Sequence, residues 1–125
     1  MVEERRPAIL FVEDISDTRE LVEFSLRQDG FDIETVQTAR EGLDLARRKS
    51  YALILLDIGL PDKDGLQLCR EIRSFDSKTP IVLYTAYGEL LDEEEAARAG
   101  AQGCLRKPDD TARLSEALRG YIEKA

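Results

Sequence analysis

The run Leu53-Ile54-Leu55-Leu56 is unbroken by any polar residue and stops at Asp57. A strand without polar alternation is covered on both faces, which points to a parallel sheet with helices on either side. The rest of the chain repeats that grammar. Ala8–Val12 is a second apolar run, ended by Glu13-Asp14, and Ser16–Gln28 follows it with helical spacing. Asp17 and Glu20 form a candidate capping pair for that helix. Leu21, Val22, Phe24, Ser25 and Leu26 give it a wide apolar face.

Further strands are expected at Asp32–Val36, 52–56, 81–84 and Gly103–Arg106. The intervening helices are expected at 40–49, 66–73 and 89–99, with a last one from Asp110 that carries Leu114, Ala117, Leu118, Tyr121 and Ile122. Gly30 stands where a left-handed cap suits the end of the first helix, and Gly100 ends the helix at 89–99. Five strands alternating with five helices predict a flavodoxin-like (βα)5 doubly wound α/β fold, with a parallel sheet in the order 2-1-3-4-5. The expectation is a single domain over residues 1–125, with its core at about 7–123.

Composition removes several chemistries. The chain has no histidine, so it holds no Ser-His-Asp triad, no Cys-His pair, no His-containing zinc site and no phosphohistidine. A net charge of −8 disfavours direct nucleic-acid binding, because basic stripes supply most of that affinity. The two cysteines, Cys69 and Cys104, fall in apolar segments outside any CxxC arrangement, which reads as small core residues in a reducing compartment. No run approaches membrane-span length and the charged start lacks a signal core, so a cytoplasmic location without membrane contact is expected.

In an open parallel sheet the chemistry gathers at the carboxyl ends of the strands. The order 2-1-3-4-5 places Glu13-Asp14 beside Asp57, with Thr85 ending the fourth strand and Lys107 the fifth. Clustered carboxylates need a cation or a shared proton. A few carboxylates with open positions suit magnesium, and Asp57 is a candidate carboxylate nucleophile for phosphoryl transfer. Each residue alone has an ordinary reading: a turn, a helix start, a strand end or a surface charge. The joint spacing is what points to a site.

The segments Ile9-Leu10-Phe11-Val12-Glu13-Asp14, Leu55-Leu56-Asp57-Ile58-Gly59-Leu60-Pro61-Asp62-Lys63-Asp64-Gly65, Thr85-Ala86-Tyr87-Gly88, Ala99-Gly100-Ala101 and Lys107-Pro108 stand in order along nearly the whole chain. Together they resemble the response-regulator receiver domain of two-component signalling systems. The resemblance implies that Asp57 accepts a phosphoryl group, Asp14 binds Mg2+ directly and Glu13 binds it through water. It also implies a metal ligand in the Gly59 carbonyl, a phosphoryl partner in Lys107, a hydroxyl donor in Thr85 and a cis Lys107–Pro108 bond. The implied partners are a sensor histidine kinase or histidine phosphotransfer protein, and a downstream protein on the face of the fourth helix, fifth strand and fifth helix. Such a chain turns over its own aspartyl phosphate and no separate substrate.

Two departures stand out. Cys104 occupies a position where the family usually carries an aromatic switch residue, and Asp109 follows Lys107-Pro108 where an apolar residue is common. Gly59 and Tyr87 fall at the positions that tune phosphate lifetime. The alternatives are a pseudo-receiver that binds partners without phosphorylation, and an aspartyl-phosphate hydrolase of the haloacid-dehalogenase type. The latter's Asp-x-Asp motif and cap domain have no counterpart here.

Overall fold

The computed structural model describes residues 6–86, 92–107 and 113–125. The elements are β1 (Ala8–Val12), α1 (Ser16–Gln28), β2 (Asp32–Val36), α2 (Ala39–Arg48), β3 (Leu53–Leu56), α3 (Gly65–Arg73), β4 (Ile81–Thr85), α4 (Glu93–Ala99), β5 (Gly103–Arg106) and α5 (Leu114–Lys124). All neighbouring strands pair in parallel, in the order β2-β1-β3-β4-β5. This is the expected flavodoxin-like arrangement.

Strand alternation divides the core in two. Leu10, Val12, Ile54, Leu56, Ile81 and Leu83 face one side and pack on Ala39, Leu68, Cys69, Ile72 and Ala96 from α2, α3 and α4. Ile9, Phe11, Leu53, Leu55, Val82 and Tyr84 face the other and pack on Val22, Leu26, Leu114 and Leu118 from α1 and α5. Every residue of β3 is buried, as its unbroken apolar run requires. Chain direction across the sheet reverses at β1. The loops after β1 and β3 therefore part to opposite faces and leave a cleft between them.

Helix ends differ from the sequence expectation where tertiary contacts take over. Asp17 and Glu20 form no cap: the N-cap of α1 is Ile15, which has no side-chain capping bond. Asp17 lies inside the first turn, where it contributes only its charge. The expected wide apolar face of α1 is narrow. Val22 and Leu26 are buried, whereas Leu21 is 60% and Phe24 64% exposed. At 3.6 residues per turn Phe24 points away from its two buried neighbours, so one sheet cannot cover all three. Thr38 caps α2, its Oγ1 accepting from Glu41 N at 3.1 Å, so α2 begins at Ala39. Asp64 likewise caps α3, accepting from Leu66 N at 2.6 Å.

Asp92 is extended and caps α4 by accepting from Glu94 N at 2.9 Å, which moves the described helix start to Glu93. The described part of α5 starts at Leu114. Tyr87, Pro108, Asp109 and Asp110, with the expected helix starts and the cis bond at Pro108, lie outside the described residues. Gly30 has φ of 94°, the left-handed conformation expected of it, and Gly100 shares it with φ of 104°. Among the described residues, no helix is long and apolar enough to cross a membrane.

Candidate functional site

Register decides which strand ends meet. Val12 pairs with Leu56, so Glu13 and Asp57 follow side by side. Glu13 N donates to Val36 O, and Asp57 N donates to Val12 O, each at 3.0 Å. Thr85 pairs with Arg106, and Lys107 N donates to Thr85 O at 2.9 Å. Glu13, Asp57, Thr85 and Lys107 thus end neighbouring strands at one edge of the sheet.

Glu13, Asp14 and Asp57 each present a carboxylate oxygen, and these oxygens lie within 4.8 Å of one another. Glu13 and Asp57 are buried and Asp14 is half-buried. Lys107 Nζ pairs with Glu13 Oε1 and stands 3.7 Å from Asp57 Oδ1. Its stem passes Tyr84, with Nζ 5.2 Å from the ring centroid. Two unit charges at 4.8 Å repel by about 3 kcal/mol at an effective dielectric near 20. One lysine against three carboxylates offsets part of that repulsion and leaves an excess of negative charge.

Protonation takes up part of it. Burial pushes the Glu13 carboxyl up to about 7 and Asp57's charge adds to the rise, while Lys107 pulls it back. Asp14 Oδ1 is buried with no hydrogen-bond donor among the described residues. A buried carboxylate oxygen without a donor is costly unless a cation completes it. Carboxylates clustered around such an atom are the hard oxygen set that magnesium takes.

The sequence reading missed the residues that hold these loops. Arg19 Nη1 donates to Glu13 O at 3.0 Å and to Asp14 O at 3.3 Å. It pins the β1–α1 loop in place of the missing cap, and Glu13 Oε2 accepts from Ile15 N at 3.3 Å within it. Past Asp57 the chain turns back on itself: Leu60 N and Gly65 N both donate to Ile58 O, at 3.1 and 2.9 Å, and Gly59 pairs with Asp64. A Cβ on Gly65 would stand 2.3 Å from the Asp57 carbonyl oxygen. The start of α3 therefore rests directly on the backbone of Asp57. Nothing in the spacing of Arg19 signals these contacts.

Thr85 is fully buried at the end of β4. Gly59 lies exposed in the loop after Asp57. Cys104 pairs with Leu83 and packs half-buried against the α2–α4 side of the core, beside a hollow of about 320 Å³ shared with Ala97 and Tyr121. Burial raises both thiols, Cys69 to about 11, and Glu93 adds to the rise at Cys104. Arg73 and Arg70 pull the Cys69 thiol back only in part, so neither cysteine is poised as a reactive thiolate.

A doubly wound sheet with an acidic cleft at its switch point defines a class of open α/β domains whose ligand site lies outside the carboxyl ends of the strands. Within that class, the profile of the response regulator receiver domain matches residues 9–119. The chain belongs to this family, the receiver domains of two-component response regulators. It is 38% identical over 111 residues to the response regulator protein PilR of Pseudomonas aeruginosa, covering 89% of this chain and 25% of PilR. It is 33% identical over 116 residues to the response regulator ArlR of Staphylococcus saprophyticus, covering 93% and 52% respectively. The chain thus spans about a quarter to a half of these relatives.

Among solved structures, one similar protein is the receiver domain of the sensor histidine kinase PA1611 of Pseudomonas aeruginosa, with a magnesium ion coordinated in its active-site cleft. It shares 32% identity with a TM-score of 0.87, over 95% of this chain and 99% of that one. A CheY-like receiver domain protein from Methanospirillum hungatei aligns with a TM-score of 0.83 at 26% identity, over 97% and 100%.

Proposed function

We propose that this receiver domain is a phosphorylation switch that takes a phosphoryl group onto Asp57. The observation that carries the reading is the buried Asp14 Oδ1, without a hydrogen-bond partner among the described residues, within a three-carboxylate cluster that Lys107 joins. Asp14, Asp57 and the Gly59 carbonyl would hold Mg2+ directly and Glu13 through water. The magnesium-bearing cleft of the similar PA1611 receiver domain supports this. Bound there, the ion supplies positive charge to the phosphoryl oxygens.

The residues divide the remaining work. A carboxylate oxygen of Asp57 attacks phosphorus, the O–P bond forms, and the N–P bond to a donor phosphohistidine breaks with its electron pair left on the imidazole. Lys107 already stands beside Asp57 and stabilises the charge on the transferred group. Thr85 donates its hydroxyl to a phosphoryl oxygen, and the end of β4 then moves. Burial of Glu13 and Asp57 lowers the local dielectric and strengthens each of these interactions.

The donor is a sensor histidine kinase or histidine phosphotransfer protein, and the output is altered binding of a downstream protein on the α4–β5–α5 face, in the cytoplasm. Cys104 is too small to act as an aromatic reporter. The readout at β5 therefore runs through the end of β4 at Thr85, which pairs with Arg106 of β5.

Intact-mass analysis after incubation with Mg2+ and acetyl phosphate tests the reading. A single phosphoryl adduct is expected on the wild type, absent from Asp57→Asn and absent without Mg2+. No adduct on any form, with no response to a beryllofluoride mimic, would leave a constitutive binding module. Turnover of a generic phosphate ester would favour the hydrolase alternative.

A further inference from the structure

The loop after Asp57 is fastened at its neck and at its tip. The neck is the Ile58 carbonyl, which receives Leu60 N and Gly65 N. At the tip, Asp62 reaches across to another element: its Oδ1 accepts from Ala39 N at 2.9 Å and its Oδ2 from Arg40 N at 3.0 Å. These are the first two amides of α2, and Thr38 already caps the third. The helix thus has a cap of its own, and the second one comes from the loop that carries Gly59.

These bonds close a circuit around the acidic cleft. Glu13 is tied through its backbone N–H to Val36 at the end of β2. Three residues on, Ala39 is tied to Asp62, and the loop runs back from there through Gly59 to Asp57. Asp57 N returns to Val12, the residue before Glu13. Removing the Asp62 carboxylate opens the circuit at one point, on the stretch that holds Gly59.

We propose that Asp62 is a positioning residue for the cation: by anchoring the loop tip to α2 it holds the Gly59 carbonyl toward the carboxylate cluster. This rests on the receiver reading given above. Outer groups that orient metal ligands are worth about 10–100-fold in affinity. An exposed anchor at a loop tip belongs at the lower end of that range.

The test is a Mg2+ titration by calorimetry on the wild type, Asp62→Ala, Asp62→Asn and Thr38→Ala. Asp62→Ala is expected to raise the Mg2+ Kd about tenfold. Asp62→Asn, which keeps an acceptor oxygen but loses the charge, is expected to recover much of the loss. Thr38→Ala removes the other cap of α2, so it should lower the melting temperature without moving Kd. In metal-free protein, hydrogen exchange at Leu60 N and Gly65 N should quicken in Asp62→Ala only.

Unchanged Mg2+ affinity in Asp62→Ala, with normal exchange in the loop, would make Asp62 a helix cap and nothing more. Equal weakening in Asp62→Ala and Asp62→Asn that disappears at high salt would mean that only its charge matters. If the wild type itself binds no Mg2+, the receiver reading fails first and the positioning role falls with it.

Discussion

Gly65→Ala places one methyl group against the backbone that carries Asp57. Its Cβ would lie 2.3 Å from Asp57 O, 2.8 Å from Ile58 Cα and 3.0 Å from the Asp57 carbonyl carbon. Carbon contacts settle near 3.5–4.0 Å, so α3 and the end of β3 must part by on the order of 1 Å. The atoms in the way are backbone and cannot rotate aside. Overpacking of this kind costs about 1–3 kcal/mol, and alanine in a helix returns up to about 1 kcal/mol relative to glycine. The net loss of stability is therefore expected to be roughly 1–2 kcal/mol, and the variant should fold.

The chemistry is expected to suffer more than the fold, because a misplacement of about 1 Å at reacting atoms costs about 10²-fold in rate. Urea unfolding gives the first quantity. The rate of adduct formation with acetyl phosphate and Mg2+ gives the second. An adduct rate equal to wild type would refute the claim that the Gly65 contact sets the position of Asp57.

Two other perturbations probe the charges in the cleft. Lys107→Ala removes the only side-chain cation paired with the buried carboxylates among the described ion pairs. It should destabilise the metal-free chain by roughly 3 kcal/mol, yet tighten Mg2+ binding, since the lysine and the ion compete for the same oxygens. Weaker Mg2+ binding by calorimetry would count against that. In metal-free protein, the folded Glu13 carboxyl titrates at about 7 against 4.5 for the free group. The folded state then binds more protons across that window. This contribution is complete below pH 4.5 and is lost as pH rises through about 7, for a fall of about 3 kcal/mol. Urea midpoints measured in chelator from pH 5 to 8 should show that fall in the wild type, and a flatter profile in Glu13→Gln. Parallel profiles would remove Glu13 as its source.

Strand positions, sheet order and the cluster at the strand ends were legible because each rests on a short-range rule. Apolar runs such as Leu53–Leu56 announce a buried parallel strand, and the turn residues between runs mark the crossovers. Right-handed connections leave few orders, and the flavodoxin-like choice among them brings Glu13, Asp14 and Asp57 together. Helix ends were less legible. Asp17 and Glu20 have the spacing of a capping pair, but the loop before α1 is held by Arg19 instead. Leu21 and Phe24 fit a helical apolar face, yet the sheet on one side of α1 covers only the stripe through Val22 and Leu26.

By itself, then, the sequence determined the fold class and which polar residues end neighbouring strands at one edge of the sheet, because hydrophobic period and turn chemistry are local facts about the chain. Only the tertiary structure decided how those residues are held. The raised Glu13 carboxyl, the partnerless Asp14 oxygen, the pressure of Gly65 on Asp57 and the reach of Asp62 to α2 all join positions distant in sequence or depend on burial. Desolvation and steric contact are properties of packed surroundings, and no spacing along a single chain encodes them.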